Sequence, residues 1–232
     1  MQRITKLAIA TALLAAAVSA PVRAQSCAGT ASFAAGRMRV GAGATFGDGA
    51  QAFGAQLAAG QAKGAFAGAT LSRVDIDDVN ESATAFGGTV GYGYDVASTH
   101  AVQLCPTVGF GYTSGPKFES AGGSLDFGAR SLSAGVSLGG VLTSTSTLSV
   151  VPFAGLSYVN QHSTMELRPA SGEASEESSS EDFALLDLGA GFVLNQVMTI
   201  RPMVSLPMGL EDAKTSYGIG FSFNFGHRLL SR

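Results

Sequence analysis

Tyr217-Gly-Ile219-Gly-Phe221-Ser-Phe223-Asn-Phe225 puts a large apolar side chain at every second position and Gly, Ser or Asn between them. A β-strand turns alternate side chains to opposite faces. The segment therefore has one aromatic, apolar face and one small, polar face. In a water-soluble sheet the apolar face would be a core. Here the pattern recurs along almost the whole chain, behind an export-type leader, with a glycine-rich opposite face. That combination predicts an all-β, closed antiparallel up-and-down transmembrane barrel with lipid outside and a polar lumen inside.

Residues 1–24 read as a signal peptide. Arg3 and Lys6 give a basic start, Leu7 to Ala20 is an apolar run, and Ala24 ends the kind of small-residue site that signal peptidase cleaves. The run is shorter than the ~20 residues a membrane helix needs. Ala24-Gln25-Ser26 before Cys27 lacks the Leu of a lipoprotein signal, which argues against a lipid-modified N-terminus. Loss of the leader removes three of 14 basic residues and none of the 17 acids, leaving a net charge of −6. An acidic chain does not suit a nucleic-acid partner. Only 13% of residues are charged, Gly is 31 of 232, and mean hydropathy is +0.26, values at home on a lipid-facing protein.

Ten segments alternate: about 37–46, 52–60, 64–74, 84–96, 101–113, 127–142, 148–160, 183–194, 198–208 and 217–225. Eight or twelve strands are the neighbouring counts. The facing of 64–74 is ambiguous, and Val150-Val151 interrupts the alternation in 148–160. Strands of this length, tilted, cross about 30 Å of hydrocarbon. An even count leaves both termini on one side, the periplasm. The long polar connections, 75–82, 114–126 and 162–182, then all face outward and are expected to be loops. The inward connections 61–63, 95–100, 143–147 and 195–197 are short, as in outer-membrane barrels. Tyr112, Tyr158 and Tyr217 fall at outward strand ends, and Tyr92 and Tyr94 at an inward end. All five lie on the apolar face, as an interfacial aromatic girdle requires. A soluble barrel would also alternate, but it needs a charged second face, and here that face is Gly, Ala, Ser and Thr.

The leader, the Gly91-Tyr92-Gly93-Tyr94 run, Val108-Gly-Phe110-Gly-Tyr112 and the terminal strand together resemble the small porin-like outer-membrane β-barrel domains of Gram-negative bacteria. The resemblance covers about residues 30–226. It implies an outer-membrane location, contact with outer-membrane lipid and recognition by the barrel-insertion machinery. That machinery reads a terminal Phe in such families; here Phe225 is followed by a tail. The expected organisation is leader 1–24, an N-terminal periplasmic segment 25–36, a barrel over 37–226 and a tail over 227–232.

Two cysteines in an exported chain suggest one disulfide. Cys105 faces the lumen low in its strand, near the periplasmic mouth. A Cys27–Cys105 bridge would pin the N-terminal segment across or into that mouth. Arg39, Asp187 and Arg201 also face inward. They read either as a selecting ring for solutes or as a neutralising network in a filled, pore-less lumen. The acids of 162–182 (Glu166, Glu173, Glu176, Glu177, Glu181, Asp182) read as a mobile, solvated loop. His162, Ser163 and Glu166 resemble the triads of lipid-deacylating barrels, but the spacing places no base against a nucleophile. Loops this short argue against the ten-stranded omptin-type proteases, which need tall ones. The chain has no phosphate loop, nucleophile elbow or metal-ligand spacing among its three His, so no cofactor, metal or catalytic residue is expected. The reading is a non-enzymatic outer-membrane barrel with a structural or surface-interaction role. The alternatives are a narrow passive channel, a lipid-modifying enzyme and a soluble secreted barrel.

Overall fold

The computed structural model describes residues 24–31, 33, 38–47, 49–61, 64–76, 82–96, 102–120, 123–145, 147–171, 173–209 and 214–225. The leader before Ala24 and the 227–232 tail lie outside them. Ten strands form the barrel: β1 Met38–Gly47, β2 Ala50–Gly60, β3 Gly64–Ile76, β4 Ser82–Asp95, β5 Val102–Ser120, β6 Gly123–Gly140, β7 Leu148–Pro169, β8 Ser175–Leu194, β9 Met198–Met208 and β10 Ser216–Phe225. Each pairs antiparallel with its sequence neighbours. The terminal strand closes the ring on the first, with Tyr217 opposite Phe46 and Phe225 opposite Met38. The sheet has no edge to protect. The registers traced around the circuit give a shear of about 12 residues, which for ten strands means a tilt of about 40°.

The outer face carries the apolar side chains. Leu132 is 64% exposed and Tyr217 63%, and Val40, Leu57, Leu71, Val90, Val108, Leu156 and Phe221 are exposed beside them. Leu71 is outward, which resolves the facing of β3. On β7 the outward series runs Leu148, Val150, Pro152, Ala154, Leu156, Tyr158 and then turns polar at Asn160, His162 and Thr164. Ten steps of about 3.3 Å tilted by about 40° rise about 25 Å, the height of the apolar band on a membrane barrel. Arg73 and Asp75, paired at 2.8 Å on β3, and Arg130 on β6 stand just above that band.

The expected loops 114–126 and 162–182 are not loops. β5 and β6 pair as far as Ser120 opposite Gly123, and β7 and β8 as far as Leu167 opposite Ser175. Four strands of 18 to 22 residues thus stand as a tall wall, whereas β1 and β10 have 10 each. Above the lipid both faces of a sheet are wet, so no alternation is needed. The ladder propagates from the paired segments below, and Ser and Glu satisfy its solvent faces. The tall wall also removes the objection that outward segments are too short to form a cleft.

At the terminal end, β8 and β9 are joined by a tight turn. Asn195 and Gln196 both have positive φ (50° and 61°), with Val197 N–H donating to Leu194 O at 3.0 Å. This is a type I′ turn, whose twist matches antiparallel strands.

Candidate functional site

The N-terminal segment lies inside the barrel at its terminal end. Ala24–Gln25 pairs antiparallel with Thr30–Ala31 around one 3-10 turn, Ser26–Ala28. Cys27 is joined to Cys105 of β5, with Cα atoms 5.8 Å apart, and both are fully buried. The sequence-expected bridge and the placement of the segment in the mouth therefore coincide in one structure.

The rest of the plug is held by side chains from opposite walls. Ala31 N–H donates to Thr199 Oγ1 at 3.0 Å, and Ala31 O accepts from Arg39 Nη2 at 2.7 Å and Asn224 Nδ2 at 3.2 Å. Arg39 Nε also donates to Asn224 Oδ1 at 3.0 Å, and its guanidinium lies 4.5 Å over the Phe33 ring. Arg201 Nη1 donates to Ala28 O at 3.1 Å, and its guanidinium stands 5.7 Å from the Phe153 ring centroid. A buried backbone carbonyl costs about 1–3 kcal/mol when unpaired, so these donors are what lets irregular chain sit in a lumen. Asp187 accepts from Ser205 Oγ at 2.5 Å. Arg39 and Arg201 are thus occupied by the plug, and Asp187 by its neighbour on β9.

Apolar contacts complete the seat. Val151 and Val193 point inward and pack with Ala31, and all three are buried. This accounts for Val150-Val151: Val150 faces out and Val151 faces the plug. Gly29 has φ +60° and lies against the Phe153 ring. A Cβ on Gly191 would overlap the Gly29 carbonyl, so a β8 glycine is required by close approach of two backbones. Val151, Phe153, Val193, Thr199 and Asn224 were not among the sequence candidates. The legible signal was that Val151, Phe153 and Val193 are bulky residues on a face otherwise lined with small ones. Above the plug a cavity of about 240 Å3 remains, lined by Gly43, Thr45, Gly54, Thr70, Ser72 and Arg201 among others.

Tyr92, Tyr94, Tyr112, Tyr158 and Tyr217 all lie on the outer surface, and Tyr92 and Tyr94 stack with centroids 4.6 Å apart. On the wall, the triad candidates separate. His162 faces out and its Nδ1 lies 2.9 Å from Ser180 Oγ; Ser163 faces inward; and Glu166 accepts two hydrogen bonds from Arg168, at 2.7 and 2.9 Å. These bonds hold the Glu166 carboxyl below its ordinary pKa. Among the described residues no group of three or more His, Cys, Asp or Glu is placed to hold a metal ion, and no helix is long and apolar enough to cross a membrane.

No family model matches this chain, and no curated protein matches it. Among solved structures it is similar to the N-terminal β-barrel domain of Pseudomonas aeruginosa OprF, at 14% identity over 81% of this chain and 96% of that one, with a TM-score of 0.37. It is also similar to Ail, the attachment invasion locus protein of Yersinia pestis, at 15% identity over 82% of this chain and 99% of that one, TM-score 0.41. The translocator domain of the autotransporter NalP from Neisseria meningitidis matches at 13% identity over 81% and 88%, TM-score 0.40.

Proposed function

We propose that this chain is a non-enzymatic outer-membrane β-barrel of a Gram-negative-type bacterium, closed by its own N-terminal segment and acting through its tall outward wall. The observation that carries the proposal is the plug: Cys27 to Ala31 and Phe33 sit in the lumen, bridged to Cys105 and hydrogen-bonded from β1, β9 and β10. The outward apolar belt supports a membrane location. A disulfide supports an oxidising compartment such as the periplasm, and the short-turn end that holds the plug would face it. A lumen filled at one end is a poor conduit, so the wall is the surface left to meet partners.

The test is twofold. The protein should partition with outer-membrane fractions and migrate faster on an SDS gel before boiling than after. In planar bilayers the oxidised protein should be electrically silent; steady conductance steps from it would instead establish the passive channel. The channel reading has one observation in its favour, the small-residue cavity above the plug. The lipid-modifying reading has the His162–Ser180 contact, but Glu166 is engaged by Arg168 and Ser163 lies on the other face. A change of lipid acyl pattern on His162→Ala would revive it.

A further inference from the structure

The outer face of the tall wall is polar, whereas its inner face carries an apolar patch among polar residues. At the outward mouth, Val74 and Ile76 of β3, Phe127 and Ala129 of β6 and Met165 of β7 line a cavity of about 630 Å3, with Ala83 buried beside them. Register puts all of them on the inward face, on the far side of the barrel from the plug's end. Apolar side chains gathered on a wet, inward surface above the lipid band serve neither the membrane nor the plug. A concave, mostly apolar cavity of a few hundred Å3 with few polar groups is the usual form of a small-molecule site.

The charge around it is one-sided. Glu177 of β8, opposite Met165, is the charged residue among those that line it. Glu181, four residues along the same face, lies opposite inward Gln161. The described basic residues of the wall are on the other face: Lys117 pairs with Asp126 at 3.4 Å, Arg168 with Glu166, and Arg130 stands between outward Tyr112 and His162. Ala24 and Phe225, the first and last described residues, lie at the opposite end of the barrel.

We infer that this cavity binds a small amphipathic cation, its apolar body against Phe127, Met165, Val74 and Ile76 and its cationic head at Glu177. An acid at the rim of a site whose described lining holds no base attracts cations and repels anions of the same tail. The site stands whether or not the lumen conducts, because it lies above the plug.

The chain has no Trp, so Phe127→Trp places a single reporter in the cavity of the full-length, disulfide-bonded protein in lipid nanodiscs. Titration with hexyltrimethylammonium should give a saturable fluorescence change, and hexanesulfonate, with the same tail, should bind at least about tenfold more weakly. Adding Glu177→Gln should weaken the cation about fivefold and narrow the gap to the anion. Adding Ala129→Phe should fill the cavity and abolish both responses, with heat-modifiable migration retained to show a folded barrel. No saturable change with the cation overturns the site. Equal binding of cation and anion, or no loss with Glu177→Gln, overturns the assignment of the head group.

Discussion

Replacing Cys27 with Ser should turn a silent barrel into a flickering one. Without the bridge, the plug is held by four hydrogen bonds between side chains and its backbone, two of them from guanidinium groups. Such bonds contribute about 1 kcal/mol each when neutral and about 2 when charged, so about 6 kcal/mol together. Burial of Phe33 and Ala31 adds about 3 kcal/mol. Ordering the segment from Cys27 to Phe33 costs about 7–10 kcal/mol at a little over 1 kcal/mol per residue. The terms cancel to within a few kcal/mol, so the unbridged plug lies near a balance of seated and released. With the barrel folded, Cys27 is tethered to β1 by about ten residues, and closing so short a loop with the disulfide contributes about 3 kcal/mol. That is enough to move the balance to about 99% seated.

The assay is conductance of single insertions with the oxidised parent, the parent under reductant, and Cys27→Ser. The parent should be silent. Both unbridged forms should open intermittently, with an open fraction of about 10% or more. Hydrogen exchange at the Ala31 amide, which donates to Thr199, reads the same equilibrium without a pore, and should accelerate in step. If Cys27→Ser stays silent with Ala31 fully protected, the non-covalent seat suffices and the energy balance above is wrong.

Gly191→Val should unseat the plug even with both cysteines present, because its side chain occupies the space of the Gly29 carbonyl; thiol labelling should then find Cys27 and Cys105 reactive in a barrel that still shifts on heating. Arg39→Met in the disulfide-bonded protein leaves Ala31 O with Asn224 and removes the cation over Phe33, and a loss of about 2 kcal/mol should speed exchange at Ala31 about 30-fold. Glu166 should titrate below an ordinary Glu by NMR, and Arg168→Ala should restore its usual value. A depressed carboxyl pKa means the ion pair is intact at neutral pH and is lost as pH falls through that lowered value; both groups are exposed, so the unfolding temperature should hardly move.

The barrel was legible because lipid imposes a strict rule on every spanning strand. Alternation in 198–208 matches β9 residue for residue, and the terminal strand differs by a single position, Ser216. Legibility ended where the rule ended. Residues 162–182 have no lipid to face, so their strand character came from pairing with β6 and with each other rather than from a pattern, and composition alone read as loop. The cysteine pairing was legible from compartment and facing. The seat was not, because Thr199 and Asn224 look like ordinary lumen residues until a backbone carbonyl or amide is placed against them. Val151, Phe153 and Val193 were visible as exceptions, bulky side chains on the narrow face, and exceptions to a lumen rule are where a second body should be sought.

The width of the barrel explains the form of that body. Ten strands about 4.8 Å apart, tilted about 40°, leave about 20 Å between opposite backbones. Side chains on each wall reduce the free bore to about 10 Å, and a helix with its side chains needs about 10–12 Å. A helix would therefore fit only by stripping the walls bare. Cys27-Ala-Gly-Thr-Ala31 is the alternative: a narrow two-stranded turn of small residues, with Gly29 pressed on Gly191 where even a methyl group has no room. So thin a segment buries little apolar surface of its own, which is why the bridge to Cys105 and the guanidinium groups of Arg39 and Arg201 are needed to hold it. The same width that makes the lumen closable by seven residues makes the closure dependent on one covalent bond.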